Sequence, residues 1–251
     1  MSKPKIYIFS GAGLSAESGI PTFRSGDDAL WDNHKIEEVC YLPKFEQNYQ
    51  ITHEFYNARR AEFFSKKPNA AHLQIAEWER RYGADRVINL TTNIDLLLED
   101  AGCTNVHHIH GRGDQIVRGW NHNTWKGTHV ETIGSAPCEW EKYLAAGEFV
   151  KPNVVFFGES CLHTDTGTEG LYQHLNNVMC DIAYNDVFIV VGASFAVVPI
   201  HLQLMHVPYT TVNVNPEVTR ESEYFDNNIT TGASEAFALL DGMIQFKMST
   251  M

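Results

Sequence analysis

Six short apolar runs, each bounded by turn-forming residues, constrain the fold of this 251-residue chain more than any other feature. Several are apolar at successive positions, which is typical of strands buried on both faces of a parallel sheet. Helical stretches lie between most of them, and this alternation predicts an α/β fold with a Rossmann-like, doubly wound parallel sheet. The predicted strands are 5–9, 86–90, 106–109, 154–157, 187–191 and 209–214, and the predicted helices 70–81, 94–101 and 171–184.

Two stretches interrupt the alternation. Residues 25–67 end in a predicted helix over 49–65, and residues 112–151 are rich in Gly, Trp, His and Asn without a clear period. We expect these two inserts to form a second, smaller domain. The Rossmann-like domain would then consist of residues 1–24, 68–111 and 152–251. Open α/β sheets bind their ligands at the carboxyl ends of the strands, so the site is expected there.

Charge and cysteine content limit the function classes. Lys and Arg total 19 against 31 Asp and Glu, a net charge of −12, which disfavours nucleic-acid and membrane binding because both partners are anionic. No window is apolar enough to span a membrane, and the first residues carry no apolar leader. The five cysteines are scattered without a C-x-x-C spacing, which favours reduced thiols in the cytoplasm and no metal site.

The first predicted strand leads into a glycine-rich turn. Gly11, Gly13 and Ala16 fit the pattern G-x-G-x-x-A, in which glycines permit a tight turn and close approach of the backbone to a pyrophosphate. N–H groups at the start of the next helix would hold the phosphates. A dehydrogenase also needs an acidic residue after a second strand about 20 residues on, but residues 26–31 predict a loop. The turn therefore either holds a dinucleotide in another way or has no ligand.

Extended to residue 24, this turn reads GAGLSAESGIPTFR and resembles the signature of the sirtuins, the NAD-dependent protein deacylases. Further resemblances follow in the family's order, namely TNID at 92–95, HIHG at 108–111, PNVVFFGE at 152–159, GAS at 192–194 and NVNPE at 213–217. The resemblance implies NAD as cofactor and an acyl-lysine protein or peptide as substrate. It implies nicotinamide and 2′-O-acyl-ADP-ribose as products.

The resemblance also implies roles for single residues. His110 would be the general base toward the ribose hydroxyls, and an unperturbed imidazole pKa of about 6.5 suits that role. Asn93 would assist catalysis by holding the ribose or a water, and Asp95 would accept from the nicotinamide amide. From the pattern alone, Asn93 and Asp95 are also ordinary helix-capping residues, and His107 and His108 are interpreted as surface or packed side chains.

The residues expected to bind NAD are Gly11, Ala12, Gly13, Ser15, Ala16, Pro21, Phe23, Arg24, Trp31, Thr92, Asn93, Ile94, Asp95, His110, Gly192, Ala193, Ser194, Asn215, Pro216, Glu217 and Ala233.

A finer resemblance concerns the acyl group. FYNARR at 55–60 and PNAAHL at 68–73 resemble the bacterial branch that removes succinyl as well as acetyl groups. In that branch a tyrosine and an arginine three positions later bind the acyl carboxylate, and they correspond to Tyr56 and Arg59. Positions i and i+3 share a helix face, where a guanidinium and a phenol can hold a carboxylate. The alternative interpretation is a solvated helix face.

The substrate strand of the family corresponds to the run at 152–159. Its resemblance implies that the acyl-lysine tunnel, with backbone pairing to an extended peptide, is formed by Val155, Phe156, Phe157 and Gly158. As a bare pattern, this run predicts only a buried strand. The expected activity is therefore desuccinylation, demalonylation and deacetylation of protein lysines.

Three departures from the family pattern stand out. Thr92 replaces a glutamine, and Ala193 replaces a threonine, which would cost about 1 kcal/mol if the lost hydroxyl made an ordinary hydrogen bond. The family's zinc module has two cysteine pairs, whereas residues 112–151 contain only Cys138. We therefore expect no zinc and an insert held by aromatic packing. The aromatic residues available are Trp120, Trp125, Trp140 and Tyr143.

Two other functions remain open from the sequence. One is an NAD glycohydrolase or ADP-ribosyl transferase on the same site. Thr92 and the missing zinc cysteines are departures from the deacylase pattern that keep this alternative open. The other is a non-catalytic module that binds NAD or ADP-ribose. The presence of His110, Asn93 and Asp95 counts against a non-catalytic module.

Overall fold

The computed structural model describes residues 3–22, 30–31, 34–159, 171–205 and 207–249, without the side chains of 30, 31 and 171–174. The strands are β1 Ile6–Ser10, β2 Leu30–Trp31, β3 His34–Lys35, β4 Val87–Thr91, β5 Val106–His108, β6 Gly111–Arg118, β7 His129–Thr132, β8 Lys151–Val154, β9 Val187–Val191, β10 Thr210–Val214 and β11 Asn227–Ile229. The helices are α1 Gly13–Ala16, α2 Ile36–Val39, α3 Tyr49–Phe63, α4 Ala70–Tyr82, α5 Leu97–Ala101, α6 Trp140–Ala145, α7 Leu171–Cys180 and α8 Ala233–Ser249.

Six parallel strands form the central sheet in the order β11-β10-β9-β1-β4-β5. Every residue of β1, β4 and β9 is buried, because helices or loops cover both faces, and this explains their unbroken apolar sequences. On one face Trp78 of α4 packs against Phe237 of α8 at 5.3 Å between ring centroids. The α/β fold with a doubly wound sheet is confirmed.

The strand order reverses between β1 and β9. From β1 the chain builds β4 and β5 on one side, and it later builds β9, β10 and β11 on the other. Such a reversal opens a crevice at the carboxyl ends of the two strands. The turns after β1 and β9 carry the two glycine motifs, so both motifs lie beside this crevice.

A separate antiparallel sheet, β7-β6-β8, packs against α3. An aromatic cluster fills this region. The ring centroid of Phe45 lies 5.3 Å from that of Tyr49 and 6.3 Å from that of Trp120, and the centroids of Tyr49 and Trp140 are 5.7 Å apart. Trp120 is buried, whereas Trp125 is 43% exposed, so the expectation that Trp125 holds the insert is wrong. The division of the chain into two domains at the predicted residues stays a prediction.

One predicted strand lies in a different sheet and pairs with a different strand than expected. Residues 154–157 were expected in the parallel sheet, but β8 ends at Val154 and pairs antiparallel with β6. The sixth parallel strand is β11, whose first two residues are polar asparagines, so no apolar run marked it. The other five predicted strands are confirmed to within one residue at each end.

Helix α5 begins at Leu97, three residues later than predicted. The delay has a local cause: Ile94 accepts a hydrogen bond from the Gly113 N–H at 2.8 Å, and Asp95 Oδ1 accepts from the Leu97 N–H at 3.1 Å. These bonds hold residues 94–96 as a turn. No helix within the described ranges is long and apolar enough to cross a membrane.

Candidate active site

The glycine-rich turns after β1 and β9 pack backbone against backbone. The Gly13 N–H donates to the Gly192 carbonyl at 3.0 Å, and a Cβ atom on Gly13 would lie 2.5 Å from Gly192 Cα. A Cβ on Gly11 would lie 2.6 Å from the Gly192 oxygen. Side chains at these positions would force the turns apart. Both glycine motifs therefore have a structural requirement that is independent of any ligand.

Most N–H groups of the first turn are used internally. Those of Gly11, Gly13, Leu14 and Ser15 donate to backbone carbonyls at 2.9 to 3.1 Å. Within the described residues, the Ala12 N–H has no hydrogen-bond partner. Helix α1 has only four residues. The expected phosphate contact therefore falls mainly to the Ala12 N–H and not to a row of helix N–H groups.

Ser15 connects the turn after β4 to α1. Its buried hydroxyl donates to Asp95 Oδ2 at 2.9 Å and accepts from Asn93 Nδ2 at 3.2 Å. The Asn93 N–H donates to Thr91 Oγ1 at 3.1 Å, and Thr92 donates through its N–H and hydroxyl to the Ser10 carbonyl. These bonds hold the 92–95 turn at the carboxyl edge of the sheet beside the glycine turns.

Asp95 makes the capping contact of a first-turn residue, and its expected contact with the nicotinamide amide stays a prediction. Its carboxylate caps the Leu97 N–H, as a first-turn residue does. It is also 7% exposed, and burial raises its pKa above the ordinary value. Asn93 does not cap α5 through its side chain, because the amide bonds to Ser15 instead. Ile94 is 7% exposed, so it contributes to the turn's packing.

His110 follows β5 and lies beside the 92–95 turn. Burial lowers the pKa of His110 to about 4, and the nearby Thr92 backbone raises that pKa by a smaller amount. The ring is therefore neutral at neutral pH, and its expected unperturbed pKa is wrong because the site is desolvated. A neutral imidazole has one protonated nitrogen and one nitrogen with a lone pair. The lone pair is what a general base needs.

The segment after β8 is joined directly to His110. The Val155 N–H donates to the His110 carbonyl at 3.0 Å. Phe156 is fully buried, with its ring stacked on Tyr56 at 5.7 Å and 11°. Phe157 is 39% exposed, and its backbone pairs with Cys40 and Leu42 at 2.9 Å. Val155 to Gly158 thus lie between His110 and α3, with Phe157 facing solvent in part.

Tyr56 and Arg59 do not form a solvated helix face. Tyr56 is 2% exposed and donates its hydroxyl to Cys40 Sγ at 3.3 Å. Burial raises the pKa of Tyr56 well above its ordinary value, so the phenol is a neutral donor. The Arg59 side chain is 11% exposed, pairs with Glu62 at 2.6 Å, and lies 5.7 Å from the Phe55 ring centroid. An acyl carboxylate would have to share Arg59 with Glu62.

The turns after β9 and β10 are tied together by Asn215. Its Nδ2 donates to the Ala193 carbonyl at 3.2 Å, and its Oδ1 accepts from the Glu217 N–H at 3.2 Å. Ser194 is exposed, as are Pro216 and Glu217. Ala233 is buried at the start of α8. These turns lie at the same edge as the other predicted site residues.

A few predicted site residues lie elsewhere or outside the description. Phe23 and Arg24 lie outside the described residues, and so does the side chain of Trp31. Ala16 and Pro21 are exposed after the first glycine turn. The expected roles of these five residues stay predictions.

The residues present do not fit the family's zinc. Cys138 is 4% exposed in an apolar cluster with Ile116 and Val150, and burial raises its thiol pKa to about 11. The centroid of the His122 ring lies 4.5 Å from that of Phe149, so His122 packs against an aromatic side chain. In the described part of the chain, no three His, Cys, Asp or Glu side chains are grouped to hold a metal. The absence of zinc stays a prediction.

Comparison with known proteins supplies the family. The family model described as Sir2 matches residues 11–199. The chain belongs to the Sir2 family. An NAD-dependent protein deacylase of Shigella flexneri is 35% identical to this Sir2-family chain over 225 residues, covering 86% of the chain and 76% of that relative. One from Salmonella typhimurium is 34% identical over 240 residues, covering 90% and 78%.

Solved Sir2 structures share the whole fold. A Sir2 homologue in complex with NAD superposes with a TM-score of 0.77 at 28% identity, covering 99% of this chain and 92% of that one. An ADP-ribose complex of a mutant Sir2 homologue gives a TM-score of 0.76 at 27% identity, covering 100% and 95%.

One buried ion pair of this Sir2-family chain was not predicted from the sequence. Lys151 Nζ lies 3.0 Å from Glu159 Oε2, with side chains only 2% and 3% exposed. The ammonium also donates to the Val154 carbonyl at 2.6 Å and lies 3.9 Å from the Phe156 ring centroid. Glu159 accepts from the Phe156 N–H at 2.9 Å. The pair closes the loop that carries Val155 to Gly158, and a lysine beside an apolar run was its one sequence signal.

Proposed function

We propose that this chain removes acyl groups from protein lysines in an NAD-dependent reaction, and that succinyl and malonyl groups are substrates besides acetyl. Membership of the Sir2 family makes it an NAD-using enzyme. One observation carries the proposal: a neutral His110, with a free lone pair, is bonded through its backbone to the segment expected to bind acyl-lysine.

The crevice residues fit a dinucleotide. The Ala12 N–H, which has no partner among the described residues, is a donor for a phosphate oxygen. Ser194 on the opposite turn is exposed. Gly13 and Gly192 lie too close together to leave room for a side chain where the two turns meet. Bound NAD supplies a ribose whose bond to nicotinamide can break and which then accepts the acyl group.

In the mechanism, the protein's part is positioning and one proton transfer. Ser15 holds the Asn93 amide, so that the remaining Asn93 oxygen is oriented toward ribose or water. His110 would take a proton from a ribose hydroxyl on its unprotonated ring nitrogen. One water is consumed, and the expected products are nicotinamide, 2′-O-acyl-ADP-ribose and the free lysine.

Selectivity for acidic acyl groups rests on Tyr56 and Arg59. The Arg59 guanidinium donates, and a succinyl carboxylate only accepts. The neutral Tyr56 phenol has one proton, which would have to leave Cys40 Sγ to reach that carboxylate. The 11% exposure of Arg59 strengthens a charge-assisted bond, because little water competes. The bound carboxylate would share Arg59 with Glu62.

A panel of acetyl-, malonyl- and succinyl-lysine peptides, incubated with and without NAD and analysed by mass spectrometry, tests the proposal. We expect acyl loss only with NAD, fastest for the acidic acyl groups, with one nicotinamide released per acyl group removed. Rapid nicotinamide release without peptide would favour the glycohydrolase or transferase. A thermal shift with NAD but no product would favour the binding module.

A further inference from the structure

His108 bridges two parts of the site. It is the last residue of β5, two positions before His110. Its Nδ1 lies 2.8 Å from the Asn93 carbonyl oxygen, and its Nε2 lies 2.8 Å from Glu99 Oε1 on α5. The His108 side chain is 6% exposed. His108 is therefore a packed side chain, one of the two expected interpretations, and each ring nitrogen also has a specific polar contact.

Both partners of the ring are acceptors. A backbone carbonyl oxygen accepts only, and so does an ionised carboxylate. Burial raises the pKa of Glu99, but the hydrogen bond and charge of His108, with Arg112, bring that pKa below its ordinary value. Glu99 is therefore ionised at neutral pH. A carbonyl oxygen can take part in this contact only as an acceptor, so Nδ1 of His108 is the donor to Asn93.

Asn93 is held from three directions. Its N–H donates to Thr91 Oγ1 and its side-chain amide to Ser15 Oγ. Its carbonyl accepts from His108 Nδ1, and this contact joins the turn to the end of β5. Together these bonds set the peptide planes on both sides of Asn93, and thus the direction of its side chain.

We propose that His108, paired with Glu99, is a positioning residue that orients Asn93 toward the bound nucleotide. The inference rests on the proposed function, because that function places Asn93 at the ribose. His108 acts through the Asn93 carbonyl and needs no contact with either substrate. Its partner Glu99 is held from the other side by Arg112, whose guanidinium lies 3.8 Å away and also pairs with Asp114.

Two amide substitutions separate the contacts of the ring. In H108N the amide nitrogen lies where Nδ1 was, and it keeps the bond to the Asn93 carbonyl. In H108Q the longer side chain reaches Glu99 and loses Asn93. We expect H108Q to weaken NAD binding in calorimetry about tenfold and H108N to stay within about threefold of wild type. The KM for acyl-peptide should change less than about twofold in either variant.

His107 provides a matched control on the same strand. Its Nε2 contacts Asn105 and not the 92–95 turn, so H107N should bind NAD like wild type. Equal losses in H108N and H108Q would overturn the positioning role while leaving the proposed function intact. A wild type that binds NAD but removes no acyl group would overturn the proposed function and not the positioning role.

The donor role of Nδ1 is tested without activity. Nitrogen-15 spectra of the wild-type histidines should show a proton on Nδ1 of His108, the nitrogen that donates to the Asn93 carbonyl. An unprotonated Nδ1 on His108 in the wild type would contradict the inference, even if H108Q failed to fold.

Discussion

Gly13 and Gly192 touch through their backbones where the strand order reverses. A Cβ atom on Gly192 would lie 2.4 Å from Gly13 Cα, and Gly192 has a φ of +60°, which favours glycine. The contact joins the turns after β1 and β9 in a single unit. The width of the crevice therefore depends on two residues that carry no side chain.

Replacing Gly192 with alanine should separate these turns. We expect G192A to lower the free energy of unfolding by at least about 2 kcal/mol, since the added methyl group meets backbone atoms that cannot move aside. Urea unfolding measures this loss. G242A is the matched control: Gly242 lies in α8 with nothing within 4 Å of an added Cβ, and alanine there should stabilise by up to about 1 kcal/mol. Equal stability of both variants would contradict the close contact.

Breaking the buried Lys151–Glu159 pair should be costly. K151M leaves the Glu159 carboxylate buried at 3% exposure without its cation, and we expect a loss of about 3–5 kcal/mol in urea unfolding. The control K44M removes a surface pair with Glu37, whose side chains are 46% and 71% exposed, and should cost less than about 0.5 kcal/mol. A small effect of K151M would mean that the carboxylate finds water or another donor.

Acid should destabilise the fold through buried histidines. Burial lowers the pKa of His53 to about 3 and those of His72 and His110 to about 4. An unfolded histidine titrates near about 6.5, so the unfolded state binds more protons below that pH. The contribution of these neutral histidines to the free energy of unfolding is therefore complete above about pH 6.5 and is lost as the pH falls toward about 4.

H53Q tests this proton linkage. Gln keeps an N–H near His53 Nε2, which lies 3.1 Å from the Val150 carbonyl, but it does not titrate. Between pH 6 and 4, the decline of unfolding free energy with acid should become shallower by nearly one proton per chain, on the order of 1 kcal/mol per pH unit. An unchanged slope in H53Q would show that other groups cause the acid sensitivity.

Arg59 should matter for acidic acyl groups alone. R59M removes the charge and keeps a long apolar side chain, and we expect desuccinylation to fall about 100-fold while deacetylation stays within about threefold. Steady-state assays with the two peptides measure the difference. R80M removes an arginine from α4 that is 74% exposed and pairs with Glu77, and it should change neither rate. If R59M lowers both rates equally, Arg59 does not bind the acyl carboxylate.

Local sequence patterns predicted the central sheet because its strands are buried on both faces. Unbroken apolar runs such as Val187–Val191 carry that signal by themselves. The patterns also placed His110 after a strand. They did not predict β11, because that strand begins with the polar residues Asn227 and Asn228. They did not predict that β8 pairs antiparallel with β6, because β6 lies some forty positions earlier in the chain.

The polar network of the site was less predictable than its location. His108 was indistinguishable from the other histidines until Asn93 and Glu99, from two other elements, were seen at its ring nitrogens. The lowered pKa of His110 likewise depends on burial by the assembled fold. Such properties arise from long-range contacts, which a residue's own sequence neighbours do not encode.

The most direct test of the account compares wild type with H110N on a succinyl-lysine peptide and NAD. Asn is a polar side chain of smaller size and has no basic nitrogen. Mass spectrometry should show free lysine and O-succinyl-ADP-ribose with wild type and at least about 100-fold slower formation with H110N, while calorimetry shows that both bind NAD. Equal rates in the two proteins would contradict the role of His110 as the general base.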